Sequence, residues 1–297
     1  MTDRRQFLLQ SSAAILSAGA LTASHRGSAG AADLQTTASD VSFKGRIRKA
    51  VKYHMIREEL SVTDKFKLLQ DLGFDGVEPR TMLQPDQQEL FRDMAAATEA
   101  TGLPIHGVVH SSNPDLPGAI RQAKALDATS VLHVVRTDEA TNYLENQQRT
   151  LDIIRRAVDE ATKQQIHILV ENVWASWLIE PLTMARFIDD IDSPWVKVYF
   201  DVGNVVRWGW PHHWIQVLGD RIQKLDIKEY DLQIAMNEGM RKGFDRPLGE
   251  GTVNWSKVRT ELDRIGYAGW ATAEVRGGDR SRLAEIASQM DDVLRLS

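Results

Sequence analysis

The chain has 297 residues, a formal net charge of −5 and no cysteine, with 42% hydrophobic and 26% charged residues. That balance excludes a disordered tail, a coiled coil and a collagen-like repeat, and an acidic chain lacks the basic footprint of a nucleic-acid binder. Without cysteine there is no disulfide, no thiolate metal ligand and no Cys nucleophile. The length admits two ordinary domains or one barrel of about 250 residues.

In chain order, residues 1–31 read first as an address. Arg4-Arg5 precedes Phe7-Leu8, a mild apolar run extends from Ala13 to Ala23, and Ala29-Gly30-Ala31 offers a small-residue cleavage site. A basic start, an apolar middle and a small-residue end make a signal peptide. The Arg pair resembles a twin-arginine (Tat) signal. The run is too short for a mature membrane span, which needs about 20 residues. The expectation is folded export to the periplasm, with no stable membrane insertion once the leader is lost. Removal of Arg4, Arg5, Arg26 and Asp3 leaves the mature chain at −7. Residues 32–43 read as a short linker and 44–297 as one domain.

From there strands and helices alternate. Ile47–Met55 is the first predicted strand and Val62–Leu72 the first helix, capped by Ser61 and closed at Gly73. Phe74–Glu78 is strand two and Asp86–Thr101 its helix, ended by Gly102. Leu103–Val109, Pro117–Leu126, Ser130–Val135 and Asn142–Lys163 continue the pattern. Ile166–Glu171 is strand five, Pro181–Asp190 a helix, Trp195–Asp201 strand six and His212–Leu218 a short helix. Ile222–Lys228 is strand seven, 230–253 a long irregular segment, Trp255–Ile265 a helix, Gly269–Val275 strand eight and Arg282–Leu294 the last helix. The strands are near-continuous apolar runs, as in parallel sheets covered on both faces. Eight strand–helix units predict an α/β fold, a (β/α)8 TIM barrel. An open doubly wound sheet is the rival, but no Gly-rich phosphate loop follows the first strand.

Barrel enzymes draw their sites from the C-terminal ends of their strands. Here strand five ends in Val-Glu171-Asn172 and strand six in Phe-Asp201-Val-Gly-Asn204. Strand seven carries Leu-Asp226-Ile-Lys228-Glu229 and strand eight ends in Ala-Glu274-Val. Any one of these carboxylates could be a cap or a surface ion pair. Four on consecutive strand ends would repel one another unless protonated or neutralised by a cation. An all-oxygen set suits a hard divalent ion, Mn2+ or Mg2+, better than Zn2+, with Co2+ a further option.

His54, Glu78 and His110 are candidate substrate-binding groups from the early strands, and Lys228 can face the same mouth and stabilise an oxyanion. His106 and His133 read rather as structural. Trp174 and Trp208, with Trp177 and Trp210, follow strands five and six; their faces could stack on the apolar face of a substrate ring or simply seal the rim.

V-E-N, F-D-V-G-N, L-D-I-K-E and A-E-V on strands five to eight, with P-L-G-E-G-T-V-N-W at 247–255, resemble the xylose isomerase-like TIM-barrel superfamily, which includes sugar phosphate isomerases and epimerases. The resemblance spans residues 44–297. It implies metal ligands at Glu171, Asp201, Asp226 and Glu274, with Glu171 and Glu274 also moving the proton. Asp226 departs from the commoner His and would make the site more anionic and harder, favouring Mn2+ or Mg2+ over Zn2+. Asn204 stands where many relatives place a substrate-binding His.

The function expected is a divalent-metal-dependent isomerase or epimerase that abstracts the proton α to a carbonyl of an unphosphorylated sugar or keto-sugar. The alternative is a 3-keto-glycoside lyase using the same first step. A non-catalytic sugar-binding barrel and a metal-dependent endonuclease are weaker readings. The expected partner is a small carbohydrate, with no nucleic acid; a homo-oligomer is left open.

Overall fold

In the computed structural model, residues 41–297 are described. The expected leader at 1–31, and most of the expected linker, lie outside them. The chain runs β1 Ile47–Lys52, α1 Val62–Asp71, β2 Gly76–Glu78, α2 Gln88–Thr101, β3 Val108–Ser111, α3 Leu116–Ala125, β4 Ser130–Val134 and α4 Tyr143–Gln164. It continues through β5 His167–Glu171, α5 Pro181–Ile191, β6 Val196–Asp201, α6 Pro211–Leu218, β7 Ile222–Ile227, α7 Leu232–Glu238, α8 Trp255–Arg264, β8 Gly269–Ala273 and α9 Arg280–Leu294.

All eight strands pair in parallel in the order β2-β1-β8-β7-β6-β5-β4-β3. The two ends of that order meet through the bridges Val77–Ile105 and Arg80–Val109. The result is the (β/α)8 barrel. Helix starts follow the local chemistry: Ser61, Asp115, Asn142, Asp231, Asn254 and Asp279 each accept a backbone N–H of the first turn of the helix they precede. Gly102 ends α2 at φ 73°, where a side chain would be strained. One expectation fails: the segment 230–253 is not irregular, because it holds α7 and a 3-10 helix at Met240–Asp245. Both elements are short and lie between β7 and α8 as an addition to the strand–helix rhythm, the 3-10 helix following α7 after Gly239, so that rhythm does not announce them.

Strand parity decides what faces the barrel interior. Leu132 pairs with Leu169, Val134 with Glu171, and Glu171 with Tyr199. Asp201 pairs with Asp226, Asp226 with Thr272, and Thr272 with Ala50. One side of the interior is therefore aliphatic: Leu132, Val134 and Leu169 form a cluster with Tyr199, and Val109 packs on it. The other side is polar and nearly waterless, holding Lys52, Glu78, Lys224, Asp226 and Thr272, none more than 3% exposed. Among the described residues no helix is long and apolar enough to cross a membrane.

Candidate metal centre and active site

The site rests on a buried polar column. At its base, Lys224 Nζ donates to the His106 carbonyl at 2.6 Å and to Thr129 Oγ1 at 3.2 Å, and lies 3.0 Å from His106 Nδ1. The His106 ring stacks on Trp270 at 4.4 Å. Its Nε2 lies 3.1 Å from Thr272 Oγ1, which lies 2.8 Å from the Tyr199 hydroxyl. Tyr199 donates to Glu78 at 3.1 Å. Gly107 makes this packing feasible: a Cβ there would lie 2.6 Å from Glu78 Oε1 and 3.1 Å from Lys224 Nζ.

Burial sets the protonation of this column. It lowers the Lys224 amine to about 7, and it holds His106 well below the ordinary histidine value, helped by Lys224 and Lys52. Burial also opposes the charge on Lys52, but Asp226, Glu78 and Glu274 outweigh it, so this ammonium keeps its proton. Lys52 Nζ lies 2.5 Å from Glu78 Oε2 and 2.9 Å from Asp226 Oδ1.

Above the column, Glu171, Asp201, Asp226 and Glu274 converge. Each offers an oxygen, and these atoms all lie within 4.8 Å of one another. Oxygens bound to one divalent ion at about 2.0–2.6 Å lie at most about 4.0–5.2 Å apart, so this spacing is within coordination reach. Asp226 Oδ2 is buried without a hydrogen-bond partner. Lys228 Nζ bridges Asp201 Oδ2 at 2.8 Å and Glu274 Oε2 at 3.0 Å. Five acids, counting Glu78, face two ammonium groups, so the pocket is short of positive charge, and the donor set fits a divalent cation.

The carboxylates differ in proton affinity for physical reasons. Burial, then Glu274 and Asp201, push Glu171 up to about 8. Burial raises Asp201 despite Lys228, and raises Asp226 well above the carboxylate range despite Lys52. Glu274 is also desolvated, yet Lys228 and Lys52 hold it down to about 2.

Asn204 braces the cluster. Its backbone N–H donates to Asp201 Oδ1 at 2.8 Å; its Nδ2 donates to Glu171 Oε1 at 3.4 Å and to the Asn172 carbonyl at 3.0 Å. Asn172 in turn exchanges two hydrogen bonds with the Asp201 backbone. A cavity of about 480 Å3 opens over Asn204 and Lys228, walled by Trp174, Phe244, Arg136 and Arg241. Trp174 is fixed by its Nε1–H to the Asn204 carbonyl at 2.7 Å. Glu229, a neighbour of Lys228, instead ties down the 247–253 segment: it accepts from Gly249 N, Val253 N and Trp255 Nε1.

The structure thus brings together seven of the eleven residues singled out from sequence: the four carboxylates, Asn204, Lys228 and Trp174. His54 sits exposed on the 3-10 turn after β1, where its charge is felt by Glu274. Trp208 stands edge-on to Trp174 at 6.5 Å, is 46% exposed, and carries the Arg207 guanidinium 4.5 Å above its ring.

Three expectations are corrected. Glu78 is no open sugar ligand: it is 1% exposed and committed to Lys52 and Tyr199 below the carboxylates. His110 does not join the site either; it is 3% exposed and its Nδ1 lies 3.0 Å from Thr81 Oγ1, because the backbone shifts register between Val109 and Ser111. Asp226 does not simply add negative charge, since its Oδ1 pairs with Lys52, an ammonium that it shares with Glu78. Lys52, Tyr199, Lys224 and Thr272 were not singled out. Their signal was period two: Lys52 stands two before His54, Tyr199 two before Asp201, Lys224 two before Asp226 and Thr272 two before Glu274.

Fold and site together define a (β/α)8 enzyme with an acidic, cation-ready centre at the strand ends. More narrowly, the chain belongs to the xylose isomerase-like TIM barrel family, whose model matches residues 66–295. A protein of Escherichia coli (strain K12) whose name proposes an L-ribulose-5-phosphate 3-epimerase is 25% identical over 246 residues, covering 72% of this chain and 83% of its own. A 2-oxo-tetronate isomerase of Pectobacterium atrosepticum is 26% identical over 252 residues, covering 76% and 90%. The crystal structure of a 3-keto-D-glucoside 4-epimerase from E. coli matches with a TM-score of 0.68 at 14% identity, over 83% of this chain and 98% of that one, a likeness of fold.

Proposed function

We propose that this protein is a divalent-metal-dependent sugar isomerase or epimerase, with Mn2+ the preferred ion. The reading is carried by one observation: four carboxylate oxygens from adjacent strand ends lie within 4.8 Å of one another beneath an aromatic-walled cavity. When bound, the ion would act as a Lewis acid toward a carbonyl and its neighbouring hydroxyl. The names of the sugar epimerase and isomerase relatives support this class of reaction.

Glu171, Asp201, Asp226 and Glu274 would hold the ion. Glu274, kept ionised by Lys228, is the group that takes the proton α to the carbonyl. Glu171, pushed up to about 8, can carry a proton near neutrality and return it. Lys228 donates toward the oxygen that gains charge, and Asn204 holds Glu171 in place. Trp174 and Phe244, 5.2 Å apart between ring centroids, offer an apolar wall for the C–H face of the sugar. Return of the proton to the opposite face gives an epimer, and to the adjacent carbon an isomer.

A second reading, 3-keto-glycoside β-elimination, shares the first step and differs in expelling a substituent. The cavity favours it to the extent that its 480 Å3 leaves room for an aglycone beside the aromatic wall. NMR of products from free sugars and 3-keto-glycosides in D2O is the test. Deuterium at the carbon next to the carbonyl supports both readings, an eliminated enone selects the second, and no exchange with any substrate overturns both.

We further propose export by the twin-arginine route, on Arg4-Arg5 and the residues that follow. Retention of Arg4→Lys, Arg5→Lys protein in the cytoplasm, with wild type in the periplasm, is the expected result.

A further inference from the structure

The proton transfers proposed above employ Glu171, Glu274 and Lys228 and leave Lys52 without a task. This side chain, on β1, reaches past β8 to Asp226 on β7. Its Nζ lies 2.9 Å from Asp226 Oδ1 and 2.5 Å from Glu78 Oε2, with the Tyr199 ring centroid 4.6 Å away. Lys52, Glu78, Tyr199 and Asp226 are each no more than 1% exposed. The ammonium has little room to move. Glu78 stands beside Lys52 in the β1–β2 register, and its Oε2 also accepts from the Tyr199 hydroxyl at 3.1 Å. The other Glu78 oxygen, Oε1, fills the space beside Gly107, 2.6 Å from where a Cβ would stand.

Asp226 therefore has two unlike oxygens. Oδ1 faces the ammonium, and Oδ2 is buried without a hydrogen-bond partner. A cation drawn to Oδ1 would meet the charge of Lys52 with almost no water to screen it. The other three acids also have an oxygen engaged by a fixed donor. Asp201 Oδ1 accepts the Asn204 N–H at 2.8 Å, Glu171 Oε1 accepts Asn204 Nδ2 at 3.4 Å, and Glu274 Oε2 pairs with Lys228 at 3.0 Å. Single oxygens suit Mg2+ and Mn2+, which take about six ligands, waters included. Ca2+ takes about 6–8 oxygens in adaptable sites, often both oxygens of one carboxylate.

We propose that Lys52 is a positioning residue that selects the ion: by holding Asp226 Oδ1 it confines this acid to ligation through Oδ2 alone, and so disfavours Ca2+ against Mn2+. This deepens the function proposed above and rests on it for the presence of an ion. The selectivity is of the negative kind, set by a fixed charge where a larger ion would need a second oxygen.

The test is calorimetric titration of Mn2+ and of Ca2+ into the chelator-treated protein in three forms: wild type, Glu78→Gln, and Lys52→Met with Glu78→Gln. The double variant removes the ammonium together with an acid it neutralises, so that Glu78 is not left buried and unpaired. Circular dichroism and melting check its fold. Wild type and Glu78→Gln are expected to bind Mn2+ about 100-fold or more tightly than Ca2+, and the double variant to lose about tenfold or more of that ratio. Removal of a positive charge alone strengthens both ions alike, so the ratio separates control of ligation from simple electrostatics. A second readout needs no variant. Infrared difference spectra of wild type on Mn2+ loading should show the wide antisymmetric–symmetric splitting of carboxylates bound through one oxygen, without the narrow splitting of two-oxygen ligation. An unchanged ratio in the double variant, a ratio already lost in Glu78→Gln, no preference in wild type, or a two-oxygen signature in wild type overturns the inference. Failure of wild type to bind either ion removes the metal-dependent reading with it. A preference for Mn2+ that depends on Lys52, with no deuterium exchange into any sugar, leaves the inference standing and removes the isomerase reading.

Discussion

The two sides of the barrel interior obey different physics. Between β3 and β5 the inward residues are Val109, Leu132, Val134 and Leu169, a hydrocarbon wall whose stability comes from burial and close packing. Across from it, Lys52, Glu78, Tyr199, Lys224, Asp226 and Thr272 form a connected column in which each buried polar group depends on the next. The hydrocarbon wall keeps out water and so strengthens every charge interaction opposite it. A site that must hold several acids close together needs that combination: dry surroundings to give the charges reach, and fixed counter-charges to make their burial tolerable.

The contrast can be broken most sharply at the carboxylates. Glu171→Gln and Glu274→Gln should each cut turnover by roughly 10^3-fold or more with an unchanged melting temperature, since under the proposed function each replaces an acid that would both hold the ion and move a proton. Full activity in either variant would remove the proton-transfer assignment.

Next in size is Lys52→Met. It leaves Glu78 and Asp226 buried without their shared ammonium, and denaturant unfolding should show a loss of about 3–5 kcal/mol. Glu78→Gln combined with Lys52→Met should recover part of it. Leu169→Ala, on the hydrocarbon wall, should cost about 2–5 kcal/mol from the cavity alone and show no such rescue.

Lys224 gives a smaller, pH-dependent signature. Its amine is lowered to about 7 when folded, against an ordinary value of 10.5. Between those values the unfolded chain binds a proton that the folded chain lacks, so Lys224 makes stability rise with pH across that window, by at most about 1.4 kcal/mol per pH unit. Lys224→Met should flatten the rise in melting temperature between pH 7 and pH 10. An identical slope in the variant would mean that the amine is charged when buried.

The smallest effect concerns the cation. Under the proposed function Glu171 would have to shed its proton to coordinate, and burial with Glu274 and Asp201 pushes it up to about 8. Mn2+ affinity measured by calorimetry should therefore fall as pH drops below 8, by about tenfold per unit for each proton displaced. Affinity independent of pH from 6 to 9 would show that Glu171 does not ligate.

Much of the fold was legible because strands and helices announce themselves locally. Gly102 marked the end of α2, and Ser61 and Asn142 capped the helices that follow them. The four acids were legible because each closes an apolar run, which in a barrel is the mouth. His110 was misplaced because parity holds only while the ladder is regular, and the register shifts between Val109 and Ser111. Glu78 was placed at the right strand end but at the wrong depth: β2 is only three residues long, and its last residue stays level with Lys52 of β1.

Read alone, the sequence determined the alternation of elements, the closed parallel architecture and the identity of the four converging acids, because propensity, capping and period-two burial are properties of neighbouring residues. Tertiary structure alone decided that Lys52 shares its charge between Glu78 and Asp226, that Lys228 spans Asp201 and Glu274, and that Arg136 and Arg241 border one cavity. Those pairings join positions from 26 residues apart (Lys52 and Glu78) to 226 − 52 = 174 (Lys52 and Asp226), and Coulomb energy depends on distance through space, which the stagger of the closed barrel sets.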